Sequence, residues 1–88
     1  MYPPESISIS SVLVHARPDL LHEAQAGLAA LPGVEVHVVT EDGRLIVTIE
    51  ADSAQSVAEM FAVIGQQPGV LSASMVYHQY ESNPDQEV

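Results

Sequence analysis

The chain alternates between two hydrophobic periods. From Ile7 to His15, apolar and polar residues alternate and then give way to the β-rich run Val12-Leu13-Val14, a strand pattern. From Ala16 to Leu31 the period lengthens. Leu21, Ala24, Leu28 and Leu31 recur at three- and four-residue steps and draw one apolar stripe along a predicted helix. Pro18 suits its first turn, where a missing N–H costs nothing, and Asp19 favours the positive end of the helix dipole. Val34, Val36 and Val38 then alternate with Glu35, His37 and Val39, a strand with two unlike faces. Glu41-Asp42-Gly43-Arg44 predicts a tight hairpin turn, and Leu45 to Ala51 returns as the next strand. A second helix follows, capped by Asp52 or Ser53, with Gln55 at the capping-box position if Asp52 is the cap. Val57, Met60, Phe61 and Ile64 form its buried stripe. Val70 to Gln79 is the last predicted strand.

Pro-Gly-Val occurs at 32–34 and again at 68–70, each time closing a helical stretch and opening a strand. Glycine suits the left-handed position after a helix, and proline cannot continue the ladder. The repeat points to a duplicated unit in the order β-α-β-β-α-β. Each helix has one apolar stripe, so both pack on the same side of one sheet. Two right-handed crossovers then predict an α+β, ferredoxin-like fold: a four-stranded antiparallel sheet of order 4-1-3-2 with two helices on one face. The expected organisation is a 1–6 N-terminal extension, a 7–79 domain and an 80–88 acidic flexible tail.

That architecture leaves the other face of the sheet uncovered. With Leu45, Val47, Ile49, Val34, Val36 and Val38 facing the helices, the open face carries Ile46, Thr48, Glu50, Glu35, His37 and Val39. Both parities of the outer strands contain apolar residues. The arrangement adopted puts Ser11, Leu13 and His15 outward on the first strand and Ser72, Ser74, Val76 and His78 outward on the last. The resulting surface has apolar spots at Leu13, Ile46 and Val76, small hydroxyls between them, and carboxylates from Glu35 and Glu50. It suits an amphipathic or apolar helix with cationic neighbours. The plain alternatives are a solvated sheet face or one buried in a homodimer.

Composition narrows the function classes. Twelve acidic residues against two basic ones, Arg17 and Arg44, give a formal net charge of −10, which repels nucleic acid and anionic membrane and attracts cationic partners. At 88 residues, 47% of them hydrophobic, the chain suits one small domain with its own core. It has no cysteine, so disulfides, thiol nucleophiles and zinc ribbons are absent, in keeping with a reducing compartment. The N-terminal residues carry no signal-peptide pattern, and no apolar run approaches the roughly 20 residues of a membrane span. These features predict a cytoplasmic protein without stable membrane association.

Catalytic patterns are missing as well. His15, His22, His37 and His78 show no metal-ligand spacing, so no metal site is expected. There is no Gly-x-Ser-x-Gly elbow, and His15-Ala16-Arg17-Pro18 lacks the glycines of an anion-cradling loop. Neither an enzyme nor a cofactor is predicted.

One further feature is the order of several short segments: Ser10-Ser11-Val12-Leu13-Val14-His15-Ala16, Leu31-Pro32-Gly33-Val34-Glu35-Val36, Gly43-Arg44-Leu45-Ile46-Val47 with Ile49-Glu50-Ala51, Gly69-Val70-Leu71, and Met75-Val76-Tyr77-His78-Gln79. Over about residues 8 to 80 this series resembles the NapD family, the small cytoplasmic chaperones of periplasmic nitrate reductase maturation. The resemblance implies a ferredoxin-like domain that binds the twin-arginine signal peptide of the catalytic subunit, NapA. It implies that binding withholds the precursor from the Tat translocase until the molybdenum cofactor is inserted, with no cofactor or reaction of the chaperone's own. The family supplies no catalytic motif, so the expected peptide-binding residues rest on the face assignment: Ser11, Leu13, Glu35, Ile46, Thr48, Glu50, Ser72, Ser74 and Val76. The rival reading is an ACT-like small-molecule-binding regulatory module, which shares the topology.

Overall fold

The structure, a computed structural model, describes the backbone of residues 7–81 and the side chains of residues 8–76. Strand β1 (Ile7–Ala16) leads through a 3-10 turn (Pro18–Leu20) into helix α1 (Leu21–Ala29). Strands β2 (Val34–Val39) and β3 (Arg44–Ala51) form a hairpin, and helix α2 (Ala54–Gly65) leads to strand β4 (Val70–Glu81). The sheet order is β2-β3-β1-β4 with every pair antiparallel, the predicted 4-1-3-2 arrangement counted from the opposite edge.

The core lies between one face of this sheet and both helices. Val12, Val14, Leu45, Val47 and Ile49 pack there with Ala24 and Leu28 of α1 and Val57 and Ile64 of α2. Met60 and Phe61 are half-buried at its margin. Ser8 and Ser10 continue the same side of β1 and are also fully buried.

Helix α1 is shorter than its periodicity suggests, at both ends. Ala16 remains in the sheet: its N–H donates to the Gly43 carbonyl at 2.7 Å, and it pairs with Val70. Arg17 is extended, as a residue before proline must be, so Pro18 opens a 3-10 turn and the α-helix begins at Leu21. At the other end Ala30 is the cap, and Leu31 bonds back to the Leu28 carbonyl outside the helix. For α2 the cap is Ser53, whose hydroxyl accepts from the Ser56 N–H at 3.1 Å. Gln55 reaches forward to Glu59 rather than back to Asp52.

The repeated Pro-Gly-Val break has a structural counterpart. Gly33 and Gly69 both adopt positive φ, 75° and 86°, which only glycine enters without strain. The Gly33 carbonyl accepts from Glu50 N–H at 2.8 Å, near the end of β3. The Gly69 carbonyl accepts from Arg17 N–H at 2.9 Å, just past β1. Each glycine thus secures the strand end that leads into the other unit's helix.

Two irregularities change the expected faces. In β2 the register shifts between Val36 and Val38, so Val38 pairs with Ile46 and Val39 with Leu45. Paired residues share a face, which puts Val38 on the open side and Val39 on the helix side, the reverse of strict alternation. In β4 the register skips Val76: Met75 pairs with Val12 and Tyr77 with Ser11. His78, expected on the open face, is consequently set opposite Ser10, a helix-side position. Strand β4 also runs two residues beyond the predicted Gln79. The rest of the expected tail, and the 1–6 extension, lie outside the described residues.

The open sheet face as the candidate functional site

Cross-strand pairing organises the open face into four rows. Glu50 and Ile9 form the first, and Glu35, Thr48 and Ser11 the second. Val38, Ile46, Leu13 and Ser74 form the third, and Arg44, His15 and Ser72 the fourth. Same-face residues along a strand are about 6.8 Å apart, so the face spans about 20 Å from Glu50 to Arg44.

The local chemistry differs from row to row. At one end a depression of about 250 Å³ is lined by Gly33, Val34, Glu35, Thr48 and Glu50. The first Pro-Gly-Val break contributes to it, with the bare Gly33 lying against the Glu50 backbone. His37, at the β2 bulge, shares a 2.8 Å hydrogen bond with the Thr48 hydroxyl. Its Nε2 lies 3.6 Å from the Glu35 carboxylate, an ion pair only when the ring is protonated. Glu50 is exposed, and among the described residues no cation is within ion-pair range of it.

The middle of the face is apolar. Leu13 and Ile46 are half-buried neighbours, flanked by Val38, which is 49% exposed. Small hydroxyl side chains border this strip, Ser11 and Thr48 on one side and Ser72 and Ser74 towards β4. Val76 is 57% exposed but sits in the β4 bulge, outside the row pairing. At the far end a second depression, of about 390 Å³, is lined by Leu13, His15, Arg44, Ser72 and Ser74.

Both arginines of the chain have an acidic neighbour. Arg17 grips Asp19 with two bonds, 3.1 and 2.7 Å, and this hydrogen bonding holds the Asp19 carboxyl below its usual range. In the hairpin, the Thr40 hydroxyl donates to Asp42 and lowers its pKa, helped by Arg44, whose Nε is 3.8 Å away.

The structure therefore brings Ser11, Leu13, Glu35, Ile46, Thr48, Glu50, Ser72 and Ser74 onto one surface. Alternation assigned Val38 to the other face, and Ile9 and Arg44, although of the same parity as Ser11 and Ile46, were not among the expected site residues. The signal for Val38 was the Val38-Val39 doublet, two apolar residues in succession where a regular strand would alternate. Among the described residues no group of three or more His, Asp or Glu is arranged to hold a metal ion. Among them, too, no helix is long and apolar enough to cross a membrane.

Residues 7–82 match the family model described as NapD protein. Chaperone NapD of Escherichia coli K12 is 32% identical over 79 residues, covering 89% of this chain and 91% of that protein. Chaperone NapD of Paracoccus pantotrophus is 34% identical over 73 residues, 83% of this chain and 64% of that one. The solution structure of the E. coli Tat proofreading chaperone protein NapD superposes with a TM-score of 0.79 at 32% identity, covering 92% of this chain and 84% of that chain. A transcriptional regulatory protein of the ASNC family from Pyrococcus furiosus, 17% identical with a TM-score of 0.67, shares the fold alone. From residue 7 onward, in strand order and in sequence, the chain belongs to the NapD family of chaperones.

Proposed function

We propose that this chain is a cytoplasmic chaperone, not an enzyme, that binds the twin-arginine signal peptide of the NapA precursor, the catalytic subunit of periplasmic nitrate reductase. Binding withholds the precursor from the Tat translocase until its molybdenum cofactor is in place. The observation that carries this reading is the open face itself, where a depression lined in part by Glu35 and Glu50 adjoins an apolar strip of Val38, Ile46 and Leu13. A twin-arginine signal peptide has the matching chemistry, two guanidinium groups followed by an apolar segment. Arginine meets carboxylates through charge-assisted, often bidentate hydrogen bonds, and Glu35 and Glu50 are exposed to receive them. The net charge of −10 adds long-range attraction for a cationic peptide.

The sheet face presents side chains, not free backbone groups. A peptide lying on it must satisfy its own N–H and C=O groups, which a helix does without help. Membership of the NapD family, and the Tat proofreading role named for the E. coli relative, support the same partner.

The test is size-exclusion chromatography of this chain mixed with the nitrate reductase precursor or with the same subunit lacking its signal peptide. The proposal expects co-elution with the precursor alone. Equal co-elution with the truncated subunit, or none with either, overturns it.

A further inference from the structure

The open face is electrically polar along the strands. Among the described side chains, its carboxylates, Glu50 and Glu35, lie in the first two rows, and Arg44 lies in the fourth beside His15. Arg44 is one of two basic residues in the chain, and the other, Arg17, is held by Asp19 away from the face. The Arg44 charge is only partly met by Asp42, at 3.8 Å with both side chains well exposed. Between the two ends lies the apolar row.

From this arrangement we infer a fixed polarity of binding: the peptide sets its arginine pair over the Glu35–Glu50 end and runs its apolar segment towards the Arg44–His15 end. The inference rests on the signal-peptide reading and adds a direction to it.

Two effects favour this direction over its reverse. Arginines at the first two rows meet opposite charge, whereas the reversed peptide sets them against Arg44, where like charges repel. The helix dipole acts in the same sense, because the positive N-terminal end of a bound helix faces Glu50 and Glu35 and the negative C-terminal end faces Arg44. The length of the face suits a helix in either direction. A helix rises 1.5 Å per residue, so about 13 residues cover the roughly 20 Å from Glu50 to Arg44. The arginine pair then comes first, with apolar side chains over Leu13, Ile46 and Val38 within the next two turns.

The test uses the whole chain, isotope-labelled for NMR, and a synthetic twin-arginine signal peptide carrying a nitroxide at either its N- or its C-terminus. Binding of each labelled peptide is first measured by calorimetry. The N-terminal label should broaden the amide signals of Gly33 and Glu50 and spare those of Arg44 and Ser72. The C-terminal label should do the converse. Interchanged patterns overturn the polarity, and equal broadening of both ends by either label shows two orientations and overturns it too. Tight binding with no broadening on the open face overturns the surface as well as the direction. Absence of binding in the calorimeter fails the signal-peptide reading itself, and the polarity with it.

Discussion

Replacing Ile46 by aspartate puts a charge at the centre of the proposed peptide seat. Ile46 is half-buried between its cross-strand partners Leu13 and Val38, on the face away from the core. Fully burying an isoleucine is worth about 1.5–3 kcal/mol, and a peptide covering the exposed half gains about 1 kcal/mol of that. Aspartate forfeits this gain, and its carboxylate must also lose water beneath an apolar helix, a further cost of at least about 1–3 kcal/mol. The sum, about 3 kcal/mol, weakens binding roughly a hundredfold. The fold should survive, because the helix-side residues Leu45, Val47 and Ile49 are untouched and the strand-propensity loss is within about 1 kcal/mol. Calorimetric titration of Ile46→Asp and Ile46→Ala with the twin-arginine peptide, after circular dichroism confirms folding, measures the difference. The alanine variant should lose about tenfold or less. A folded Ile46→Asp protein with wild-type affinity refutes the open face as the binding surface.

Other consequences are smaller. Glu50→Gln should weaken peptide binding a few-fold at low salt and less at physiological salt, since exposed ion pairs contribute only about 0–1 kcal/mol and are screened. Unchanged affinity at low salt removes Glu50 from the site. Gly33→Ala should destabilise the fold by at least about 1–2 kcal/mol, because φ is +75° and the new methyl would press on the Glu50 carbonyl; urea unfolding reads it, and an unshifted midpoint contradicts the packing. Asp19 is held below its ordinary carboxyl range by Arg17, so it stabilises the folded chain above that range, and the contribution fades as pH falls through the folded value. The urea midpoint of Asp19→Asn should therefore fall below wild type at neutral pH, and the gap should close as the pH is lowered through the folded Asp19 value. A gap that persists in acid counts against the Arg17–Asp19 contact as its source.

The fold was legible because its signals are local and repeated. Leu21-Ala24-Leu28 and Val57-Met60-Phe61-Ile64 write helical stripes, and the two Pro-Gly-Val breaks separate them from strands. The inward parity of β1 and β3 followed from simple alternation, and with it most of the open face. The register shifts were not legible. A bulge arises when one strand carries an extra residue relative to its neighbour, and the apolar pattern of one strand does not record its partner's length. Val38 and Val39 consequently exchanged faces, and Val76 fell out of the row that its alternation assigned. The start of α1 turned on the bond between Ala16 and Gly43, far apart in sequence, which keeps Ala16 in the sheet. Arg44 looked like a turn residue in sequence, and it took the pairing with His15 to place it on the open face.

The central claim is that this surface recognises an arginine pair followed by an apolar segment. Calorimetric titration of the chain with the NapA twin-arginine signal peptide and with its Lys-Lys variant tests that most directly. Micromolar or tighter binding, about −8 kcal/mol, is expected for the arginine peptide, with measurably weaker binding for the lysine variant, whose point charges cannot pair bidentately with Glu35 and Glu50. No heat of binding from the arginine peptide, or equal affinity for both, would contradict it.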